Sequence, residues 1–288
     1  MLRISKISFP GLGIDWFDVD SVAFSIGTLE IAWYALILTL GIVVAVLYTI
    51  FRAKQIGINY EIILDFALIV VPSGILGGRL YYVFSKLENF DTLWDVLNLR
   101  SGGLAIYGAI IGGGIAVYCV CKYKKVPFLV LADCCTPGII LAQSIGRWGN
   151  FMNGEAFGDE TSLFCRMGLQ NSLTSQIITY VHPTFLYESL WNFIGVILIN
   201  LYYKHRRYDG EIFLLVFGWY GLGRMFIEGL RQDSLYTTLF SVTFRTSQVL
   251  AAVIFVICLA TLIYLRAKKF TKPLFVYEEK KETTKKSK

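Results

Sequence analysis

Residues Gly146 to Gly158 read Gly-Arg-Trp-Gly-Asn-Phe-Met-Asn-Gly-Glu-Ala-Phe-Gly. They place an arginine, two asparagine amides, a glutamate and four glycines where the chain leaves a long apolar run. A charged side chain at the centre of a bilayer costs roughly 2.5–3.5 kcal/mol on insertion scales. Arg147 and Glu155 at the end of such a run, among glycines that admit a ligand close to the backbone, point to a polar substrate. A purely structural polar cluster is the alternative reading of this segment taken alone.

Four other segments share that character. Gly102 to Gly108 carries Tyr107 next to a glycine, with Gly112, Gly113 and Gly114 beyond it. The later glycines suit helix packing, while Tyr107 reads equally as a site residue or an interfacial anchor. His182-Pro183-Thr184 opens a run holding Tyr187 and Glu188. Proline suits a first helical turn, and a carboxylate at membrane depth needs a partner. His182 itself could cap the helix, face water or serve the site. Arg224 and Glu228 are four apart, so they share a helix face and can pair, with Arg231 one turn further on. Gly77-Gly78-Arg79 puts a further cation at the end of an apolar run. Guanidinium binds phosphate through two N–H groups at once, so arginines converging on one depth suit a phosphate headgroup. The chemistry these residues offer is that of an enzyme or transporter handling an anionic lipid or a phosphorylated polyprenyl carrier.

The elements that must position them are membrane helices. The chain has 288 residues, of which 55% are hydrophobic and only 17% charged, and apolar windows long enough to cross a bilayer recur along it. Seven spans are predicted, near 31–51, 62–84, 103–121, 128–146, 184–203, 211–230 and 246–265, giving an all-α polytopic membrane protein. Residues 1–30 hold Asp15, Asp18, Asp20 and Glu30 instead of a basic segment followed by a short apolar one. They read as an amphipathic or loosely ordered lead-in and not as a cleavable signal peptide. Residues 150–182 are expected to form a small external segment, within which the fold of 157–180 is not readable. Basic residues follow the first span (Arg52, Lys54), the third (Lys122, Lys124, Lys125), the fifth (Lys204, Arg206, Arg207) and the seventh, where nine occur from Arg266 to Lys288. That asymmetry places the N-terminus outside and the C-terminus in the cytoplasm. The domain reading is thus a membrane catalytic domain over 1–266 and a basic cytoplasmic tail over 267–288. The net charge of +6 comes mostly from this tail and implies no nucleic-acid partner. Five of six cysteines lie in or beside spans, and there is no C-x-x-C pair and there are only two histidines, so no metal or redox site is expected. On this topology Arg79, Tyr107, Arg147, Glu155, His182, Arg224 and Glu228 fall toward the outer half of the bilayer.

At these residues the sequence resembles the bacterial prolipoprotein diacylglyceryl transferases. Gly146 to Gly158 is similar to the family signature. His182-Pro183-Thr184, Leu186-Tyr187-Glu188 and the Gly223-Arg224, Glu228 and Arg231 block match its other hallmarks, as do Trp33-Tyr34 and Gly78-Arg79. The resemblance covers essentially the whole chain. It implies transfer of the diacylglyceryl group of phosphatidylglycerol to the thiol of the lipobox cysteine in a preprolipoprotein signal peptide. The products are a thioether and glycerol phosphate, the step opens lipoprotein maturation, and no cofactor is needed. It also implies a multi-pass protein of the bacterial cytoplasmic membrane with its site toward the outer leaflet. One departure stands out: Tyr107 occupies the position where well-known members carry a histidine base.

Argued forward from that reaction, Arg147 and Arg224 stabilise the charge that develops on the leaving phosphate, with Arg79 and Arg231 as further headgroup contacts. Glu155 and Glu228 orient the arginines, and Asn150 and Asn153 donate hydrogen bonds to headgroup or peptide. Gly158, Tyr34 and His182 complete the expected substrate-binding set. A phenol is a weaker acid than a thiol, so Tyr107 is expected to position the thiol or phosphate. A phosphate oxygen, His182 or water would then take the proton. The competing class is a transporter or flippase of an anionic lipid, which calls for internal repeats and paired broken helices that the sequence does not show.

Overall fold

The computed structural model describes residues 4–90, 92–98, 102–171, 178–232, 236–239 and 242–276. Four short strands come first: β1 (Ile4–Phe9), β2 (Ile14–Asp20), β3 (Val22–Ile26) and β4 (Leu29–Ala32). Helix α1 (Trp33–Lys54) continues directly from β4 and is followed by α2 (Tyr60–Ser85), the single turn α3 (Leu93–Leu97), α4 (Ile106–Lys124) and α5 (Phe128–Asn153). Strands β5 (Met167–Asn171) and β6 (Thr179–Val181) lead into α6 (Thr184–Tyr202) and α7 (Glu211–Ile227). A last hairpin, β7 (Tyr236–Leu239) and β8 (Val242–Arg245), precedes α8 (Thr246–Ala267).

Among the described residues seven helices are long and apolar enough to cross a membrane, one for each predicted span. Their ends differ from prediction by a few residues, with one consequential exception. Helix α5 runs on to Asn153, beyond the expected end at 146, so Arg147 and Asn150 stand on its last turns and not in a loop.

The expectation of an all-α chain is corrected, because the helices are accompanied by short strands. Residues 4–32 are not loosely ordered: they form β1 to β4. Strand β1 pairs with β2 and, across about 160 residues of sequence, with β5, which pairs with β6 to complete an antiparallel sheet of order β2-β1-β5-β6. A register shift between Ile7 and Phe9 interrupts the strict two-residue alternation by which a strand is recognised. Within 150–182, β5 and β6 thereby join the same sheet; residues 172–177 lie outside the described residues, as does 277–288 of the tail.

The chain divides into two compact units: Met1–Tyr48 with Cys135–Pro273, and Thr49–Cys134 with Leu274–Lys288. In the first, Ile7, Phe9 and Val19 meet Met167, Leu169, Val181 and Phe185 in a buried core. Phe151 and Met152 of α5 pack against it, so the sheet seats on the end of α5 and the start of α6. The helices below are held by small residues and reciprocal bonds. A Cβ on Gly138 would lie 2.9 Å from the Ala45 carbonyl, which lets α1 and α5 approach closely. Ser144 Oγ donates to the Ser189 carbonyl at 2.8 Å and Ser189 Oγ to the Ser144 carbonyl at 2.9 Å, tying α5 to α6. Between α6 and α7, Trp191 and Trp219 stack with centroids 4.4 Å apart. Each indole N–H donates to the other residue's carbonyl, at 3.0 and 2.9 Å. Gly223 lies under the Trp191 indole and Gly195 under that of Trp219, where a Cβ would overlap the rings.

In the second unit α2 and α4 meet backbone to backbone through Gly77, Gly108 and Gly112. Of the glycines beyond Tyr107 that suggest helix packing, Gly112 packs in this way, whereas Gly113 and Gly114 do not approach α2 this closely.

Candidate active site

Three arginines from three elements converge on one carboxylate. Glu188, in the second turn of α6 and only 4% exposed, receives Arg147 Nη2 from α5 at 2.6 Å. Arg224 Nη1 from α7 lies 3.0 and 3.1 Å from its two oxygens, and Arg231 Nη1 lies 3.2 Å from Oε1. The expected i, i+4 pair also forms: Arg224 Nη2 is 2.6 Å from Glu228 Oε2. Glu228 is buried, and its backbone carbonyl accepts from Arg245 Nη1 at 2.6 Å. Three guanidinium groups face Glu188 and Glu228 here in a largely buried setting.

The signature segment extends this network. Asn150 and Asn153 both donate through Nδ2 to Glu155 Oε1, at 3.1 and 3.0 Å, and Arg147 Nη1 reaches Asn150 Oδ1 at 3.4 Å. Glu155 turns back toward α5 because Gly154 and Ala156 take positive φ of 62° and 57°. For alanine that conformation is unfavourable. It is held by Thr184 Oγ1 donating to the Ala156 carbonyl at 2.5 Å and by Glu155 N–H donating to the Asn150 carbonyl at 3.1 Å. Glu228 thus touches an arginine as expected, whereas Glu155 acts on Arg147 only through the Asn150 amide.

Gly158 lies where three backbone segments cross. Its N–H donates to the His182 carbonyl at 2.9 Å, it bridges to Arg231, and a Cβ there would stand 2.6 Å from the Leu230 carbonyl. The crossing fixes Arg231 beside Glu188 and gives Gly158 a packing reason to be glycine. His182 Nδ1 is 3.4 Å from Tyr187 Oη, whose other neighbour is Cys165 Sγ at 3.2 Å. Tyr34, in the first turn of α1, covers Gly149, where a Cβ would come 2.8 Å from its ring.

Arg79 and Tyr107 belong to the second unit. Arg79 is 3% exposed and donates to five backbone carbonyls. Nε reaches Val96, Nη1 reaches Gly102 and Gly103, and Nη2 reaches Asp95 and Asn98. All five guanidinium N–H groups therefore have carbonyl acceptors in the 95–103 segment. Where the sequence suggests a headgroup contact, Arg79 meets the chain itself. Tyr107, in the first turn of α4, is half exposed and lies against Tyr81 with ring centroids 6.3 Å apart.

Sequence reasoning noticed Glu188 as a carboxylate in want of a partner but did not place it in the site. Its three arginines lie 36 to 43 residues away along the chain, beyond any helical spacing rule. Arg245 was missed as well, having no acidic neighbour at helical spacing. Asn192 and Tyr220, which line a small cavity beside Glu188 and Arg224, carried no sequence signal either.

The profile of the prolipoprotein diacylglyceryl transferase family matches residues 21–264. The chain belongs to this family. It is 43% identical over 265 residues to phosphatidylglycerol–prolipoprotein diacylglyceryl transferase 1 of Clostridium perfringens (strain 13 / Type A), covering 90% of this chain and all of that relative. The enzyme of Clostridium botulinum (strain Langeland) is 44% identical over 76% of this chain and 87% of its own. That of Enterococcus faecalis (strain ATCC 700802 / V583) is 42% identical over 86% and 91%. Every arginine and glutamate of the network around Glu188 falls inside the family match. With seven helices of spanning length, the chain is a multi-pass membrane protein of this family.

Proposed function

We propose that the chain transfers the diacylglyceryl group of phosphatidylglycerol to a prolipoprotein, and that the cluster around Glu188 is where the phosphate is held. The acceptor is the thiol of the lipobox cysteine. Sulfur forms a bond to the glycerol carbon, the carbon–oxygen bond to phosphate breaks, and glycerol phosphate leaves. The phosphate passes from a diester with one negative charge to a monoester that gathers more. Cations already fixed at that position stabilise the change without reorganising.

The observation that carries this reading is the convergence of Arg147, Arg224 and Arg231 on Glu188. Glu188 and Glu228 hold the guanidinium planes, and Glu155 sets Arg147 through Asn150. Arg147 Nε–H has no protein acceptor among the described residues and can turn to a phosphate oxygen. Asn153, Gly158, His182 and Tyr34 surround the cluster as a frame for headgroup and peptide. Tyr107 donates a hydrogen bond to thiol or phosphate, and the thiol proton leaves to a phosphate oxygen, His182 or water. Arg79 holds the backbone at residues 95–98 and 102–103. Residues 1–266 form the membrane catalytic domain, with the N-terminus outside, the 267–288 tail in the cytoplasm and the site toward the outer leaflet of the bacterial cytoplasmic membrane. Family membership favours this transferase over a flippase of anionic lipid.

The test mixes purified protein with phosphatidylglycerol and a lipobox-cysteine peptide, following peptide mass and released glycerol phosphate. A diacylglyceryl mass gain, absent for the Cys→Ser peptide, is the expected result. Binding of phosphatidylglycerol by well-folded protein without any product would contradict the transferase reading and point to lipid transport.

A further inference from the structure

Ahead of α1 stands a two-stranded hairpin that no part of the site uses. Strands β3 and β4 are joined by the two-residue turn Gly27-Thr28, with Gly27 at φ 61°. Phe24 pairs with Ile31 and Ile26 with Leu29, and paired residues share a face, so these four large apolar side chains project from one side. Ser25 pairs with Glu30 on the opposite side. Three of the four stand open, Ile26 at 65% exposed, Phe24 at 48% and Leu29 at 38%, while Ile31 at the base is partly buried. Its base is rigid, since Trp33 N–H, the first of α1, donates to the Ser21 carbonyl at 2.9 Å and Val22 N–H donates to Asp20 Oδ1 at 2.8 Å.

We infer that this hairpin is a membrane-interface anchor whose apolar face, Phe24, Ile26, Leu29 and Ile31, lies in the acyl boundary of the bilayer while Ser25 and Glu30 face water. This rests on the reading of α1 as a span. The surface is continuous with that interface, because Ala32 passes into α1 without a break and α1 exposes Trp33, Leu36, Leu38 and Leu40 in turn. Depth follows from the backbone. A two-stranded hairpin leaves N–H and C=O groups unpaired along both outer edges, which hydrocarbon does not tolerate. The hairpin therefore rides at the headgroup level and does not sink below it. Trp33, at the junction, is the residue type that favours the same level. Anchored there, the hairpin fixes the height of Tyr34, and through its contact with Gly149 that of the α5 end bearing Arg147.

The experiment places one nitroxide at a time in the full-length protein in phosphatidylglycerol-containing nanodiscs, with Cys119 and Cys165 replaced by serine. The labelled variants are Ile26→Cys, Ser25→Cys and, within α1, Leu40→Cys. Collision rates are measured with oxygen, which concentrates in lipid, and with a water-soluble nickel chelate. The expected result is lipid exposure at 26, water exposure at 25 and deep lipid exposure at 40. Water exposure at both 25 and 26 with lipid exposure at 40 would overturn the anchor and leave the span intact. Water exposure at 40 would overturn the span reading itself, and the anchor with it.

Discussion

Glu188 carries a heavy electrostatic duty, since three guanidinium groups meet its two oxygens. Removing one partner from a buried ion pair leaves charge uncompensated and typically costs about 3–5 kcal/mol. Glu188→Gln keeps the shape and removes the charge, so a loss of stability of that order is expected in thermal unfolding in detergent. An unchanged midpoint would mean that the arginines have other acceptors. Tyr107 presents the opposite case, half exposed and lying against the Tyr81 ring. If it only donates one hydrogen bond, Tyr107→Phe loses about 0.5–1.5 kcal/mol, roughly a 2- to 13-fold fall in rate, and keeps the pH–rate profile. Abolished turnover with a lost limb of that profile would make it the base. Arg79 illustrates what residue type alone cannot tell. An arginine near a membrane helix end reads as a phosphate ligand, yet five carbonyls saturate its donors. Arg79→Ala should expose the 95–103 segment to faster hydrogen exchange while phosphatidylglycerol binding persists. Loss of binding with unchanged exchange would return it to the headgroup.

At the scale of elements, the pairing of α6 with α7 sets the distance between Glu188 and Arg224. The reciprocal indole bonds of Trp191 and Trp219 depend on Gly223 and Gly195. Gly223→Ala pushes a methyl into the Trp191 ring, and overpacking of this kind costs about 1–3 kcal/mol. A lower unfolding midpoint, a changed tryptophan emission and slower transfer should appear together; full activity would show that the helices can part without harm. The sequence made the spans legible because hydropathy is a local property. It also made the Arg224–Glu228 pair legible, because four residues is one helical turn. It hid the sheet for the opposite reason: β1 finds β5 only after some 160 intervening residues, and the shift between Ile7 and Phe9 breaks its alternation. The end of α5 was placed too early because Gly146, Gly149 and the polar residues between them resemble a loop, while burial of Phe151 and Met152 against the sheet core keeps the helix going.

At the scale of the whole molecule, the proposed orientation rests on basic residues after alternate spans. In a background with Cys119 and Cys165 changed to serine, a membrane-impermeant maleimide should label Leu163→Cys in intact cells, and should reach Lys125→Cys only after lysis. The reverse pattern would invert the protein. The central claim remains that planar guanidinium groups at Arg147 and Arg224 hold the departing phosphate. Lysine keeps the charge at each position and loses the fork. The most direct measurement is therefore single-turnover transfer from phosphatidylglycerol to a lipobox-cysteine peptide by Arg147→Lys and Arg224→Lys, each shown to be folded. The account predicts a fall of about 100-fold or more in both, the scale of losing a preorganised transition-state contact. Near-wild-type rates in both would contradict it.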